Sequence, residues 1–283
     1  MECTKLYNQF LLELEKIYDK GEAKAITHLI FKEEGLFHNG LFNDQHIQLN
    51  IALQKRLLHY LEDLKKHTPV QYVLGHAWFH NLKFTVTPDT LIPRPETEEL
   101  VQQAIEFLKD WDAPKVIDIG CGSGCIPITL KKKLPHTHVE AIDISEKALE
   151  VARKNAIMHQ VSIHFSCMDF LNQSKWVFTG KYDCIISNPP YIPQSQIINM
   201  DKNVHLHEPH IALFVPDEKP LLFYEQIALF AKDFLSENGI GFVEIQDHFA
   251  KNVVALFENN GFKARSVNDL FNNSRFVHFT HCR

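Results

Sequence analysis

An apolar segment runs directly into closely spaced glycines and then into a helix, and this junction limits the folds open to the chain. Residues 115–119 read as a buried strand, and Gly120, Gly122 and Gly124 follow it. Glycines allow positive φ and leave no Cβ to keep a ligand off the backbone, while a helix start exposes free N–H groups. The junction is therefore typical of a ligand-binding turn in an α/β sheet, although a turn used only for tight packing would look the same.

The spacing of these glycines distinguishes three kinds of binding turn. A dinucleotide-binding turn requires a third glycine at the position that Cys125 occupies in this chain. A phosphate-binding P-loop would end in Gly-Lys followed by Ser or Thr, and this segment has no such ending. The remaining pattern is G-x-G-x-G, which by itself is a weak signal.

Polar residues stand at the ends of the next strand-like segments. Asp143 ends the second one, 19 residues after Gly124, a spacing at which a carboxylate can accept hydrogen bonds from ribose hydroxyls. Asp143 could instead cap the helix that follows, a role that Ser145 could also fill. Asp169 and Phe170 end the third segment and would place an acceptor and an aromatic face beside an adenine ring. Because parallel strands end at one edge of a sheet, these residues predict a nucleoside site there.

A fourth strand-like segment, residues 182–187, ends in Asn188-Pro189-Pro190-Tyr191. Proline fixes φ, lacks an N–H and forces the residue before it to be extended, so the turn is stiff. It holds the side-chain carbonyl of Asn188 and the backbone carbonyl of Pro189 as two neighbouring acceptors for the hydrogens of a planar NH2 group. Such a nitrogen is a poor nucleophile because its lone pair is delocalised. The tetrapeptide therefore predicts a catalyst that orients this lone pair toward an electrophile.

Together these residues resemble class I S-adenosylmethionine-dependent methyltransferases, and within them the HemK/PrmC-type glutamine N5-methyltransferases of peptide release factors. Besides residues 188–191, the resemblance rests on residues 69–75, 91–101 and 208–213. The tetrapeptide alone is shared with N6-adenine DNA methyltransferases. The segment at 91–101 and the small N-terminal domain are what favour the protein-glutamine enzymes.

The resemblance implies an α/β fold of the class I methyltransferase (Rossmann-like) type, with a seven-stranded, mostly parallel sheet whose last strand is antiparallel. It also implies an N-terminal helical substrate-recognition domain at 1–67, a β-hairpin linker at 68–90 and a catalytic domain at 91–283. Apolar residues at helical spacing within 7–18 and 53–64 support the helical domain.

The same resemblance implies where S-adenosylmethionine, and its product S-adenosylhomocysteine, would bind. The glycine loop would pass the methionine moiety, Asp143 would bind the ribose hydroxyls, and Asp169 and Phe170 would flank the adenine. A wall near the cofactor, or only the first turn of a helix, would be formed by Arg94, Thr97 and Glu98. The predicted cofactor-binding residues are Gly120, Cys121, Gly122, Ser123, Gly124, Asp143, Asp169, Phe170 and Asn188.

A class I peptide chain release factor is the substrate that the resemblance implies, methylated on the glutamine of its Gly-Gly-Gln motif. Asn188 and the carbonyl of Pro189 would accept the two amide hydrogens, Tyr191 would pack on the glutamine side chain, and Pro190 would stiffen the turn. The predicted catalytic residues are Asn188, Pro189 and Tyr191, and the whole tetrapeptide is predicted to bind substrate. Two other functions remain open: N6-adenine methylation of nucleic acid, and binding without catalysis.

Composition and charge narrow the partners. A net charge of −6 and a pI near 6.3 disfavour broad binding to nucleic-acid backbones, which requires clustered Lys and Arg. Lys131–Lys133 are expected to form the solvated end of a helix. Charged residues in the first 20 positions exclude a secretory segment, and no apolar run approaches membrane-spanning length. We therefore expect a cytoplasmic protein, preferably monomeric, without direct contact to nucleic acid or membrane.

Cysteine and histidine patterns give no metal prediction. Six cysteines without C-x-x-C spacing suit a reducing compartment. Cys121 and Cys125 stand where the family usually has Thr or Ala, and small buried cysteines are commonly inert. The segment His205–His210 lacks the regular spacing of a zinc site. We predict no metal site.

Overall fold

The computed structural model describes residues 2–38, 41–42 and 48–282. Its contacts divide the chain into two units, Met1–Gly75 with Asp201–His207, and His76–Met200 with Glu208–Arg283. The domain boundaries at residues 67 and 90 stay predictions. In the described ranges, no helix has the length and apolar character needed to cross a membrane.

The described chain alternates helices and strands. The helices are α1 (Cys3–Leu14), α2 (Lys20–Glu33), α3 (Ile51–Leu64), α4 (Val70–Leu74), α5 (Pro95–Leu108), α6 (Cys125–Lys133), α7 (Glu146–Met158), α8 (Lys202–His205), α9 (Leu222–Phe234) and α10 (Ala250–Asn259). The strands are β1 (Phe37–His38), β2 (Leu41–Phe42), β3 (His76–Phe79), β4 (Leu82–Thr85), β5 (Lys115–Ile119), β6 (His138–Asp143), β7 (His164–Cys167), β8 (Tyr182–Ser187), β9 (Ile192–Pro193), β10 (Phe214–Val215), β11 (Leu235–Glu244), β12 (Phe262–Asn268) and β13 (Ser274–His281).

The first unit is a small helical bundle built on α1, α2 and α3. The side chain of Asp19 caps α2 and that of Asn50 caps α3. Each of these two helices therefore begins where a polar side chain accepts a hydrogen bond from a backbone N–H of the first turn. Phe10 and Phe31 pack edge to face in its core, with ring centroids 5.3 Å apart. Of the apolar residues at helical spacing, Tyr7, Phe10 and Leu14 of α1 and Leu57, Leu61 and Leu64 of α3 are buried.

The second unit contains a seven-stranded sheet in the order β12-β13-β11-β8-β5-β6-β7. Strands β7, β6, β5, β8 and β11 are parallel, and β13 is antiparallel to both of its neighbours. The predicted α/β class I methyltransferase fold, mostly parallel with an antiparallel last strand, is confirmed. The strands β3 and β4 form an antiparallel hairpin inside the predicted linker range.

Side chains of the central strands alternate between two apolar clusters, as the period of a pleated strand requires. Ile117 and Ile119 of β5 belong to one cluster, which α9 and α10 complete, whereas Val116 belongs to the other, which α5 and α6 complete. The central strands are therefore buried on both faces. The end of α6, Lys131–Lys133, carries the basic residues of its last turn.

The order in which the chain adds strands to the sheet changes direction at β5. From β5 it proceeds through β6 and β7 on one side and then through β8 and β11 on the other. Ligands of open α/β sheets bind beside such a switch point, at the carboxyl ends of the strands. The residues that follow β5, β6, β7 and β8 all lie at this edge. We therefore expect the ligand site there.

Gly241 marks a place where the sheet has no room for a side chain. It pairs with Phe279 across β11 and β13, and an added Cβ would lie 1.9 Å from the Phe279 ring. That ring is fully buried and stacks on Phe257 at a centroid distance of 4.0 Å. We expect Gly241→Ala to lower the free energy of unfolding by about 1–3 kcal/mol, the usual cost of overpacking, as measured by urea denaturation. Combining it with Phe279→Leu should give less than the sum of the two single losses, and full additivity would contradict the clash.

Candidate functional site

A cavity opens in the second unit at the carboxyl edge of the sheet, beside the switch point. The cavity and its mouth hold about 920 Å³ of empty space, open solvent included. The residues of the four strand ends that line it are Gly120, Gly122, Asp143, Asp169, Phe170, Asn188, Pro189 and Pro190. The structure thus brings together most of the residues predicted from strand ends. Within the described chain the lining does not include Cys121, Ser123, Gly124 or Tyr191.

The three glycines of the loop have different surroundings. Gly120 and Gly122 have φ of 78° and 52°, and an added Cβ at either would meet nothing within 4 Å, so their backbone faces open space. Gly124 begins α6, and its added Cβ would lie 3.0 Å from Ile128 and 3.1 Å from Ala152. The first two glycines leave room for a ligand, whereas the third permits close packing of α6 on α7.

The carboxylate of Asp143 is held at the cavity wall by backbone groups. Its Oδ2 accepts from the Gly122 N–H at 2.8 Å, and its Oδ1 accepts from the Ser145 N–H at 2.9 Å. Ser145 rather than Asp143 caps α7, since its hydroxyl oxygen accepts from the Ala148 N–H at 3.2 Å. Burial raises the pKa of Asp143, against the lowering effect of these hydrogen bonds. Each carboxylate oxygen can accept a second hydrogen bond, so the group retains capacity for a ligand.

Asp169 and Phe170 lie together on another wall of the cavity. The Asp169 Oδ1 accepts from the Leu171 N–H at 3.1 Å. Phe170 is mostly buried, stacking on Trp176 with ring centroids 5.3 Å apart and meeting Phe230 edge to face at 5.5 Å. The acceptor and the aromatic ring are therefore adjacent and rigidly supported, and their contact with an adenine stays a prediction.

The Asn188 carboxamide is oriented by a short chain of hydrogen bonds. Its Nδ2 donates to Thr97 Oγ1 at 3.1 Å, and Thr97 Oγ1 donates to Glu244 Oε2 at 2.6 Å. Because the Thr97 hydroxyl hydrogen is used on Glu244, the Thr97 oxygen can only accept from Asn188. The NH2 group of Asn188 is thereby fixed on Thr97, and the side-chain oxygen Oδ1 is directed away from it.

Tyr191 contacts the same carboxylate from the other side. Its hydroxyl donates to Glu244 Oε1 at 3.4 Å. Burial, and then the charge of Glu244, raise the pKa of Tyr191, so its phenol keeps the proton across the physiological range. Since the ring does not line the cavity, its predicted packing on a substrate stays a prediction.

Glu208 joins two of the segments that carry the family resemblance. It is buried, and its Oε1 accepts from the Arg94 guanidinium at 2.6 Å while its Oε2 accepts from the Ile92 N–H at 3.1 Å. Leu91 and Pro209 beside these groups line the cavity. The contacts of Glu208 therefore fix one wall of the site.

Arg94, Thr97 and Glu98, predicted to form a wall near the cofactor, lie at the start of helix α5. None of the three belongs to the cavity lining of the described residues. Helix α5 begins at Pro95 with Glu96 and Glu98 in its first turn, which is the alternative reading of this segment. Thr97, however, reaches Asn188, and this contact with the tetrapeptide was not anticipated from the sequence.

Two buried carboxyl groups of the central strands, Glu244 of β11 and Asp118 of β5, are not among the residues predicted from the sequence. Glu244 is 2% exposed, and burial raises its pKa to about 7, although Thr97 and Arg275 lower it. Asp118 is fully buried, and in the described part of the chain neither of its oxygens has a hydrogen-bond partner. Burial raises the pKa of Asp118 well above its usual range. Both acids interrupt otherwise apolar strand segments, and this signal could have identified them.

Replacing Glu244 by glutamine should stabilise the protein at alkaline pH. The folded-state pKa is about 7 against an ordinary value of 4.5. The folded protein therefore retains a proton that the unfolded chain has lost, and stability falls as pH rises through this window. Glu244→Gln removes this titration, so we expect a gain of about 1–3 kcal/mol in the free energy of unfolding at pH 8, shrinking toward pH 5. Urea denaturation of both proteins at the two pH values measures it, and a less stable variant at pH 8 would contradict it.

The cysteines and histidines singled out in the sequence are engaged in the protein interior or with backbone groups. Burial raises the pKa of the Cys125 thiol to about 12 and that of Cys121 well above its usual range, which disfavours the reactive thiolates. His205 Nδ1 lies 3.1 Å from the Asp201 carbonyl, and His207 Nε2 lies 3.0 Å from the Lys66 carbonyl. Among the described residues, no three or more His, Cys, Asp or Glu are grouped so as to hold a metal ion.

The sequence of this chain is similar to those of known proteins. Residues 99–204 match the family model described as Methyltransferase small domain. The chain is 40% identical over 277 residues to a Release factor glutamine methyltransferase of Flavobacterium psychrophilum, covering 95% of each protein. It is 38% identical over 266 residues to the protein of that name from Bacteroides thetaiotaomicron, covering 93% of this chain and 95% of the relative.

A solved methyltransferase structure from Pyrococcus furiosus is 17% identical, with a TM-score of 0.49 over 82% of this chain and 99% of that one. The similarity to the two relatives extends over 95% and 93% of this chain. The chain belongs to the release factor glutamine methyltransferase family.

Proposed function

We propose that this protein transfers a methyl group from S-adenosylmethionine to the N5 nitrogen of the glutamine in the Gly-Gly-Gln motif of class I peptide chain release factors. The other products are S-adenosylhomocysteine and the amide proton that the methylated nitrogen loses to water. The observation that carries the proposal is the Asn188 carboxamide, whose NH2 is fixed on Thr97 beside an open glycine loop. Full-length similarity to two Release factor glutamine methyltransferases supports the substrate.

The cavity residues fit the parts of S-adenosylmethionine. Gly120 and Gly122 leave open space for the amino-acid moiety, and Asp143 has acceptor capacity for the ribose hydroxyls. Apolar residues on the remaining wall, with the Asp169 acceptor beside them, suit an adenine; they are Ile142, Ile144, Met168 and Phe170. When bound, the cofactor supplies a methyl group on a positively charged sulfur that leaves as a neutral thioether.

The tetrapeptide's part is to orient the substrate nitrogen. Asn188 Oδ1 and the backbone carbonyl of Pro189 would accept the two hydrogens of the glutamine amide, which fixes the direction of the nitrogen lone pair. Holding reactants in this way can contribute about 7–11 kcal/mol. The two acceptors also bind more strongly as positive charge grows on the nitrogen, so they stabilise the transition state more than the ground state.

We assign the helical unit, Met1–Gly75 with Asp201–His207, to binding the release factor. All the residues that line the cavity belong to the other unit, so the helical unit is left for recognition rather than chemistry. Six free cysteines suit a reducing cytoplasm, where translation takes place. We propose a monomer as the working form.

The direct test is methyl transfer from labelled cofactor. The protein is incubated separately with purified release factor, with release factor in which the glutamine of Gly-Gly-Gln is replaced by alanine, and with adenine-rich duplex DNA. We expect label on the first substrate only, located on the glutamine by mass spectrometry. Label on the duplex would replace the proposal with N6-adenine methylation, and label on no substrate would indicate a binding protein without this activity.

A further inference from the structure

The hydrogen bonds around Asn188 answer a question that the tetrapeptide leaves open. The two ends of a carboxamide have nearly the same shape, so packing alone does not decide whether the oxygen or the NH2 group points toward a substrate. An NH2 group directed at the amide hydrogens of a glutamine would oppose donor to donor. A catalyst that uses Asn188 as an acceptor therefore needs a device that fixes the orientation of this amide.

Thr97 alone is not such a device. A hydroxyl can both donate and accept, so it could bind either end of the carboxamide. Glu244 removes this ambiguity, because an ionised carboxylate only accepts. With Thr97 donating to Oε2 at 2.6 Å, the Thr97 oxygen presents lone pairs to Asn188.

The second oxygen of Glu244 is also occupied. Tyr191 donates to Oε1 at 3.4 Å, so both carboxylate oxygens receive donors. The backbone carbonyl of Glu244 accepts from the Tyr224 hydroxyl at 2.9 Å, which holds the end of β11. Glu244 and Thr97 are each 2% exposed, so water does not compete for these contacts.

A carboxylate at this position is costly for the fold. Burying an ionised group is unfavourable unless it is paired, and the neighbouring residues of β11, Val243 and Ile245, are apolar and fully buried. An apolar residue at position 244 would continue that pattern. A residue that breaks the local pattern at a buried position beside a reactive group is expected to serve function.

We propose that Glu244 and Thr97 are positioning residues that fix the Asn188 carboxamide with its oxygen toward the substrate nitrogen. This inference rests on the proposed function, because it assigns Asn188 the role of an acceptor for a substrate NH2 group. Neither residue touches the substrate; both act through Asn188.

Turnover of matched threonine variants tests the proposal. Thr97→Val keeps the shape of the side chain and removes the acceptor, so we expect kcat to fall about tenfold or more, the equivalent of one lost hydrogen bond of about 1.4 kcal/mol, with little change in the KM for the cofactor. Thr97→Ser restores the hydroxyl and should restore most of the rate. The matched control is Thr129→Val, since Thr129 is fully buried and its hydroxyl has no partner among the described residues.

The pH profile gives a readout that a merely structural role would not change. The groups that act on the pKa of Glu244, about 7, include Arg275, which lowers it, and Glu96, which raises it, besides its donors Thr97 and Tyr191. Protonated Glu244 can donate to Thr97 and so release the orientation of the amide. The wild-type kcat should therefore fall as pH drops below about 7, whereas Glu244→Gln should show a lower and flat profile.

A measurement without turnover separates this inference from the proposed function. The side-chain NH2 resonances of Asn188, identified by their loss in Asn188→Ala, should be protected from solvent exchange in the wild type and lose that protection in Thr97→Val. Unchanged protection, a wild-type kcat for Thr97→Val, or an equal loss in Thr129→Val would overturn the inference. If the wild type transfers no methyl group to release factor, the proposed function fails, while the resonances still decide the orientation of the amide.

Discussion

Replacing Asn188 by alanine should lower kcat for methyl transfer by about 10²–10³-fold, the usual effect of removing one preorganised group that stabilises the transition state. The variant loses the acceptor Oδ1 and leaves the glutamine amide with the Pro189 carbonyl alone. Affinity for the cofactor should change little, because the other strand ends supply most of the cavity wall. Single-turnover rates at saturating cofactor, together with calorimetric titration of S-adenosylhomocysteine, separate the two quantities.

The variant Asn188→Asp is a control for which we predict the direction of the pH dependence. It retains an acceptor oxygen but loses the NH2 group that donates to Thr97, and it places a second carboxylate near Glu244. Two neighbouring carboxylates resist being ionised together. The introduced carboxyl group, once protonated, can donate to Thr97 and still accept from substrate, so we expect the rate of this variant to rise as pH falls. An Asn188→Ala variant with near-normal kcat, or one impaired only through cofactor affinity, would contradict the role assigned to Asn188.

The placement of the strand ends could be predicted from the sequence because a parallel sheet leaves no alternative. Once residues 115–119 and 182–187 read as buried parallel strands, their following residues must meet at one edge. The chemistry of each end, an open glycine turn, a carboxylate and a stiff asparagine turn, is then local information. The gathering of Gly120, Asp143 and Asn188 at one cavity could therefore be inferred from residue order, whereas the seven strands and the antiparallel last strand were implied by the family resemblance.

The contact between Glu244 and Thr97, the residue that binds the Asn188 side chain, could not be inferred in this way. It depends on β11 lying beside β8 in a register that pairs Val243 with Ser187, so that each next residue reaches the same edge. Nothing near either residue in the sequence encodes that register. Thr97 likewise depends on how α5 is rotated against the sheet, and the sequence pattern indicated a wall of the cavity instead.

The glycine loop shows a second limit of spacing arguments. Gly120, Gly122 and Gly124 are equivalent in the pattern, and all three have positive φ. Only the surroundings separate them, since Gly124 packs against Ile128 and Ala152 while the other two face open space. Gly124 therefore serves close packing, whereas Gly120 and Gly122 leave room for a ligand.

Replacing Asp143 by alanine should weaken cofactor binding by about 10²–10³-fold. Hydrogen bonds to a charged group contribute about 1.5–3 kcal/mol each, and the proposed pair with the ribose hydroxyls would be lost together. The variant also frees the Gly122 N–H, which loosens the loop that the carboxylate now holds. Calorimetric titration of S-adenosylhomocysteine measures the loss directly.

Two further variants divide that loss between its causes. Ser145→Ala removes the cap of α7 without changing the carboxylate, so it should cost about 1 kcal/mol of stability and leave affinity nearly intact. Asp143→Asn retains one oxygen acceptor and should lie between wild type and alanine. If Ser145→Ala weakened binding as much as Asp143→Ala does, the carboxylate would act by supporting the start of α7, and ribose recognition would have to be assigned to another group. If only the Asp143 variants lose affinity, the acid at the end of β6 is the group that selects a ligand with vicinal hydroxyls.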